Sequence, residues 1–311
     1  MISICLPTYN RLTYLKPCLE SVLDKFGSYP YEVVIADGGS TDGTLEYLHD
    51  LDHENIKLIE QGKLVGAVKA CNACFKKAEG DYLFIANDDA VMIPKVLTKA
   101  CKLMDKDEQV GLISPKDQEV TRANVHGVTL SRIRRYWILL GKFNLIRDSI
   151  MKKNNYFDEK FSTYFVDDDT FLTVMKQGYT TMFTKEVGNI HYRLEDSKIN
   201  IAKSRNEDEK TTSMEREHLL QKWGKLEQNL KEYLKKSYFK KRKAVLFDMV
   251  CDRIYESKRV RPFVERNQKI SLQFYDWCLD KAIMFKDKKY DDMNDFFLPQ
   301  KYPEDILASI K

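Results

Sequence analysis

Apolar and polar positions along the first hundred or so residues switch repeatedly between two periods. Ile2 to Leu6 is a short β-branched and apolar run that ends at Pro7, and Leu15, Leu19, Val22 and Leu23 then recur at helical spacing. A turn at Tyr29 and Pro30 leads into a second strand, Tyr31 to Ala36, which ends at Asp37-Gly38-Gly39. Leu45 and Leu48 mark a short helix, and Ile56 to Ile59 a third strand. Val65 to Ala78 reads as a helix ended by Gly80, and Tyr82 to Ala86 as a fourth strand that runs into Asn87-Asp88-Asp89. Pro94 opens a helix through Met104, before a strand at Val110 to Ile113. Strands alternating with helices predict βαβ units, hence an α/β fold with a mainly parallel central sheet flanked by helices.

The pattern is less regular after Lys116. Trp137 to Leu140 and Phe143 to Ile146 read as strands around Gly141, and Thr170 to Gln177 as a helix closed by Gly178. Asn200 to Ser213 is polar and reads as a linker or exposed loop. From Met214 to Phe285 the chain is rich in Lys, Glu, Leu and aromatics with few glycines, which predicts several helices.

Composition sharpens the picture in a few places. Among 311 residues, 43% are hydrophobic and 32% charged, enough apolar material for a real core. A net charge of +4 is too small for the basic footprint of a nucleic-acid binder. The seven cysteines are irregularly spaced and odd in number, which fits reduced thiols better than a disulfide framework. Cys71 and Cys74 form a CxxC, but a zinc site needs further ligands, and buried thiols explain the pair. No signal peptide is visible and no apolar run reaches about 18 residues, so a cytoplasmic protein without a membrane-spanning helix is expected.

In parallel sheets, ligands bind beyond the carboxyl ends of the strands. Here the strand ends carry Thr8-Tyr9-Asn10, Asp37-Gly38-Gly39-Ser40 and Asn87-Asp88-Asp89. Adjacent carboxylates repel, and a divalent cation with oxygen ligands, Mg²⁺ or Mn²⁺ beside substrate phosphates, is one way to hold Asp88 and Asp89 ionised. An acidic loop capping the next helix is the other reading. Asp37 can accept from ring N–H groups of a base, whereas Asp42 fits a turn and a helix cap. Val166-Asp167-Asp168-Asp169 offers either a general base or acidic residues for a helix's first turn. His191 reads as a structural histidine or a metal ligand.

As an ordered series, these segments resemble the large family of inverting glycosyltransferases with the GT-A fold, family 2. The resemblance rests on the opening strand with Pro7-Thr8-Tyr9-Asn10-Arg11, and on Val33 to Thr44 around Asp37-Gly38-Gly39-Ser40. It continues through Gly66 to Asn72, Ala78 to Tyr82, Phe143 to Arg147 and Tyr156 to Phe161. Asn87-Asp88-Asp89 stands in the place of the family's DxD, with Asn first; Val166-Asp167 stands where a Glu-Asp pair is usual. Lys222-Trp223-Gly224 resembles a C-terminal element of many members, so the likeness covers roughly residues 1 to 225.

The resemblance implies a nucleotide-diphospho-sugar transferase fold over 1–200, with a nucleotide-sugar half (1–115) and an acceptor half (116–200), followed by a helical C-terminal extension (201–311). It implies that Pro7, Thr8, Tyr9, Asn10, Arg11, Asp37, Gly66, Lys69, Asn87 and Asp88 surround the donor. Asp89 becomes the principal ligand of Mn²⁺ or Mg²⁺, supported by Asp88 and His191. Asp167 becomes the catalytic base, with Asp168 as the alternative. The implied partners are a nucleoside-diphosphate sugar and a hydroxyl acceptor on a glycan, a lipid-linked sugar or another molecule, with no nucleic acid. Arg132, Arg134, Arg135 and Trp137 are acceptor-side candidates.

A competing reading is a sugar- or partner-binding module that kept the fold and lost activity, since Val166 and Asn87 depart from the pattern. A pyrophosphorylase or a dinucleotide-dependent oxidoreductase would need a Gly-rich loop where Pro7-Thr8-Tyr9-Asn10 stands. The basic cluster Lys235, Lys236, Lys240, Lys241, Arg242 and Lys243 reads as a solvated helix face. The C-terminal helices otherwise offer a homodimer contact or peripheral contact with a membrane surface.

Overall fold

A computed structural model of the chain describes residues 1–119, 128–133, 136–141, 143–162, 164–191, 210–224 and 297–300. The order is β1 (Ile2–Thr8), α1 (Leu12–Glu20), β2 (Tyr31–Asp37), α2 (Thr44–Asp50), β3 (Ile56–Glu60), α3 (Ala67–Lys77), β4 (Tyr82–Ile85), β5 (Ala90–Met92) and α4 (Pro94–Lys106). Then come β6 (Val110–Glu119), β7 (Val128–Ile133), β8 (Tyr136–Gly141), β9 (Leu145–Arg147), α5 (Asp148–Lys153), α6 (Val166–Lys176), β10 (Thr180–His191) and β11 (Phe297–Gln300). Residues 210–224 are also helical.

Strand alternation sorts side chains onto two faces of the sheet. Ile4, Leu6, Val33, Ile35 and Phe84 meet α1 and α4 on one face. Cys5, Val34, Ala36, Leu83 and Ile146 meet α3, α5 and α6 on the other, where Leu219 and Trp223 of the 210–224 helix join the core. Helices on both faces of a sheet are the α/β layering that the sequence alternation predicts.

The sheet order is β11-β10-β6-β9-β4-β1-β2-β3, with β5 paired to β10. β3, β2, β1 and β4 run parallel, as do β6 and β10. β9 lies antiparallel between β4 and β6 and joins the two parallel groups. β7 and β8 form a separate antiparallel hairpin.

Several boundaries differ from the sequence expectation. β1 does not stop at Pro7 but continues to Thr8. β4 ends opposite Cys5, so at Pro7 the side of β1 facing β4 has no ladder bond for proline to miss. α6 begins at Val166, four residues before the expected start, and takes the acidic run into its first turn. The positive end of the helix dipole favours that placement. β5, β10 and β11 were not anticipated; β10 carries Lys185 and Glu186 and lacks clean alternation. The polar stretch 200–213 is helical from 210, while its earlier residues lie outside the described ones.

Cys5, Cys18, Cys71, Cys74 and Cys101 are free and buried. Burial pushes the Cys71 thiol well above its ordinary range and the Cys74 thiol up to about 12, so both are packing residues as expected. Among the described residues, no helix is long and apolar enough to cross a membrane.

Candidate active site

The loops after β1 and β2 are tied to each other before they meet anything else. Asn10, in the left-handed region (φ 52°), donates its N–H to Ser40 Oγ (2.9 Å) and accepts from the Thr41 N–H at Oδ1 (2.7 Å). The Gly38 N–H donates to the Thr8 carbonyl (3.0 Å). Asp37 is fully buried; its Oδ1 accepts from the Gly39 and Ser40 N–H groups and its Oδ2 from the Ser40 hydroxyl. These contacts give Asp37 a loop-closing task. Asp42 serves the turn: it accepts from Thr44 at the start of α2 and from the Leu12 N–H at the start of α1, while the N-cap position of α2 itself is Gly43.

Gly39 is required by geometry. Its φ is +86°, and a Cβ there would lie 2.8 Å from the Gly62 carbonyl carbon. At Gly38, a Cβ would meet Tyr9 at 3.2 Å and Leu64 at 3.4 Å. Tyr9 (39% exposed) and Leu64 (63%) therefore flank a bare stretch of backbone and present apolar surface to solvent at the carboxyl end of the sheet.

The β4–β5 turn brings the acidic pair onto this same edge. Thr8 Oγ1 donates to Asp88 Oδ2 (2.8 Å), and one Arg11 nitrogen reaches both Asp88 Oδ1 and Asp89 Oδ2 at 3.2 Å. His191, at the end of β10, sets its Nε2 3.0 Å from Asp89 Oδ1. Five sequence candidates, Thr8, Arg11, Asp88, Asp89 and His191, thus form one connected cluster. The repulsion between the two carboxylates is offset by the protein's own cations, a role for Arg11 that the motif did not reveal.

The two carboxylates differ in consequence. Burial, helped by the charge of Asp89, pushes Asp88 up to about 6, although Arg11 and Thr8 pull it down. Burial also opposes the Asp89 charge, but the hydrogen bond and charge of His191, with Arg11, hold that carboxyl below its ordinary range. His191 lies between Asp89 and Asp117; burial works against its charge, yet the two carboxylates raise it to about 9.

Asp89 and His191 fit a divalent metal. Ligands about 2.1 Å from an octahedral ion lie about 3.0 Å from their neighbours, the spacing of Asp89 Oδ1 and His191 Nε2. Asp88 fits less well, because its oxygens are engaged by Thr8 and Arg11. Among the described residues, no three His, Cys, Asp or Glu side chains form a complete ligand set. A site of this kind takes its remaining ligands from water and substrate phosphates.

The other candidates lie around this cluster. Pro7 pairs with Ala36 inside β1, one residue before the end of the strand. Asn87 is exposed, and its carbonyl accepts from the Cys18 thiol and the Ala90 N–H. Gly66, at φ +94°, precedes α3, and Lys69 is exposed in that helix's first turn. Backbone N–H groups there form a ready anion site. Asp167 and Asp168 are half-buried in the first turn of α6, and the charge of Asp167 reaches Cys71 on α3. Arg132 and Trp137 are paired positions on the β7–β8 hairpin, whereas Arg134, Arg135 and the basic cluster at 235–243 lie outside the described residues.

The third aspartate of the run has a different task. Asp169 is buried and accepts from Trp223 Nε1 (2.7 Å) and Lys222 Nζ (2.9 Å). Lys222 also reaches Asp158, as does His218 at 2.9 Å. Glu215 accepts from the Ser162 N–H and hydroxyl at one oxygen and from the Tyr164 N–H at the other. The 210–224 helix therefore grips the segment leading into α6. Of these residues, the sequence motifs had marked Asp169, Asp158 within Tyr156 to Phe161, and Lys222 with Trp223; Glu215, His218 and Asp117 carried no motif.

A family model described as "Glycosyl transferase family 2" matches residues 3–171. A Methanococcus voltae protein is 40% identical over 91 residues, covering 27% of each chain. It is named dolichyl N-acetyl-alpha-D-glucosaminyl phosphate 3-beta-D-2,3-diacetamido-2,3-dideoxy-beta-D-glucuronosyltransferase. A chondroitin synthase of Pasteurella multocida is 29% identical over 121 residues, 39% of this chain and 12% of that one. The matches thus span about a quarter and an eighth of those relatives' lengths. The crystal structure of S. aureus TarS 1-349 superposes with a TM-score of 0.52 at 20% identity, over 61% of this chain and 60% of that one, and shares the GT-A fold. That protein has also been solved with UDP-GlcNAc, with a TM-score of 0.52 at 19% identity over 63% of this chain and 59% of that one.

Proposed function

The chain belongs to glycosyl transferase family 2, and from that premise we propose that it moves one sugar from a nucleoside-diphosphate sugar to an acceptor hydroxyl by a single inverting displacement. The observation that carries this reading is the hydrogen-bonded cluster of Thr8, Arg11, Asp88, Asp89 and His191 at the carboxyl end of the parallel strands. The TarS structure with UDP-GlcNAc supports a nucleotide-sugar partner through the shared fold.

Tyr9 and Leu64 offer the flat apolar surface that a nucleobase needs, with Asp37 beside it for a ring N–H. Gly66 and Lys69 at the start of α3 face the diphosphate. Asp89 and His191 would hold Mn²⁺ or Mg²⁺, and Asp88 fixes Thr8 and Arg11 in place. A bound divalent ion supplies charge that offsets the departing diphosphate. Asp167 takes the proton from the acceptor hydroxyl as that oxygen bonds to the anomeric carbon, and the bond to the diphosphate breaks on the opposite face. The positive end of the α6 dipole favours a carboxylate in that first turn. Asp168, one residue on in the same turn, is the alternative base. Residues 1–200 carry the catalytic site in this reading; beyond them, the 210–224 helix braces α6 and β11 adds to the sheet beside β10.

Thermal stabilisation by a panel of nucleotide sugars with and without Mn²⁺ tests the donor assignment. One or more sugars raise the melting temperature in the metal's presence, and Asp89→Ala removes that increment. Calorimetry showing unchanged donor affinity in the variant with Mn²⁺ rejects the role of Asp89. A binding module without activity is favoured by one feature: Arg11 and His191 already neutralise the acidic pair. Donor hydrolysis with Mn²⁺ separates the two readings.

A further inference from the structure

Behind His191 lies a second, less accessible carboxylate. Asp117 on β6 is the register partner of Asn189 on β10, two residues before His191. Asp117 is fully buried, and neither of its oxygens has a hydrogen-bond partner among the described residues. Both amide atoms of the Asn189 side chain and His191 Nδ1 are likewise unpartnered. The cation facing Asp117 is the His191 ring, whose Nδ1 lies 3.7 Å from Oδ2. That ring also meets the Phe143 ring edge-on, with centroids 5.4 Å apart.

A carboxylate enclosed without a donor is costly, and one placed behind an imidazole is a known means of fixing that ring. The 3.7 Å separation is ion-pair range, about 0.8 Å longer than a hydrogen bond. The opposite nitrogen already points at Asp89 Oδ1 (3.0 Å). We propose that Asp117 is a positioning residue: its carboxylate, in ion-pair range of His191 Nδ1, holds the ring so that Nε2 is aimed at the cation site shared with Asp89. This rests on the metal reading given above for Asp89 and His191.

The test is Mn²⁺ binding by the full chain without nucleotide, followed by loss of the free-ion electron paramagnetic resonance signal. Asp117→Leu, Asp117→Asn, His191→Gln and the Asp117→Leu/His191→Gln double variant are compared with the parent chain. Loss of the carboxylate weakens Mn²⁺ binding about 10- to 100-fold in Asp117→Leu, the usual scale for such a partner. Asn retains a neutral acceptor and gives a smaller loss in the same direction; it also serves if the Leu variant does not fold. The double variant binds no more weakly than His191→Gln, because both changes act through one ring. A purely structural Asp117 would shift the urea midpoint and leave the Mn²⁺ affinity alone. Parent-like affinity in both Asp117 variants, with weakened binding in His191→Gln, overturns the role of Asp117 and spares the metal reading. Parent and His191→Gln chains that bind Mn²⁺ alike, or not at all, overturn both.

Discussion

Replacing Glu215 by alanine tests whether the 210–224 helix holds the approach to α6. Glu215 is 3% exposed. Its Oε1 accepts from the Ser162 N–H at 2.7 Å and from the Ser162 hydroxyl, and its Oε2 from the Tyr164 N–H at 2.7 Å. Hydrogen bonds to a charged group contribute about 1.5–3 kcal/mol each, but Ser162 is exposed and water replaces its bonds at small net loss. The half-buried Tyr164 N–H bears the larger part, about 1.5–3 kcal/mol. The one buried methylene removed, Cγ, adds about 0.8 kcal/mol, and relief from burying a carboxylate offsets some of the sum. The net expectation is a loss of about 2–4 kcal/mol for Glu215→Ala, and about half of that for Glu215→Gln, which keeps the methylenes and one acceptor. Urea unfolding measures it, with the m-value unchanged. Amide exchange at Tyr164 should quicken in both variants. Turnover should fall more than donor affinity, because Asp167 and Asp168 follow that segment directly. An unfolding free energy within about 0.5 kcal/mol of the parent, the ordinary scatter of surface changes, refutes the bracing argument.

Three further outcomes follow from the site and its supports. Asp167→Asn keeps donor binding and lowers turnover by about two to four orders of magnitude, the scale of losing a general base; near-normal turnover in a quench assay assigns the base to Asp168. Gly39→Ala combines a left-handed φ of +86° with a Cβ 2.8 Å from the Gly62 backbone, and should cost about 2–4 kcal/mol by urea titration together with nucleotide affinity; a parent-like variant contradicts the tight loop. Asp158 is held down to about 2 against burial by His218, the Lys160 N–H and Lys222; the unfolded chain protonates first, so the stability it contributes is complete above about pH 4 and lost as pH falls towards 2. Asp158→Asn should flatten the acid limb of a stability profile in that window, and an unchanged slope removes the argument.

The carboxyl edge of the sheet was legible because its signals are local. Strands read from a period of two, the glycines at 38 and 39 marked a turn that cannot carry side chains, and Thr8, Arg11, Asp88 and Asp89 stood next to strand ends. Those ends meet because parallel strands deliver them to one edge. What the chain concealed is cooperative over long separations. Asp117 gains its meaning from β10, whose hydrophobic pattern is broken by Lys185 and Glu186. Glu215 looks like any helix-face carboxylate until Ser162 and Tyr164 are placed beside it. The Asp167-Asp168-Asp169 run gives no hint in sequence that its last member turns inward to a tryptophan while the first two line the helix start. Propensity placed the start of α6 too late, because acidic residues that favour a first turn also favour a loop.

Among the described residues, the free thiols are divided between the two faces of the sheet: Cys5 of β1 with Cys71 and Cys74 of α3 on one, Cys18 of α1 and Cys101 of α4 on the other. An alkylating reagent reaches neither set until its layer lifts. Peptide-resolved labelling rates would therefore time the opening of each hemisphere separately, making the molecule a self-contained clock for its own breathing.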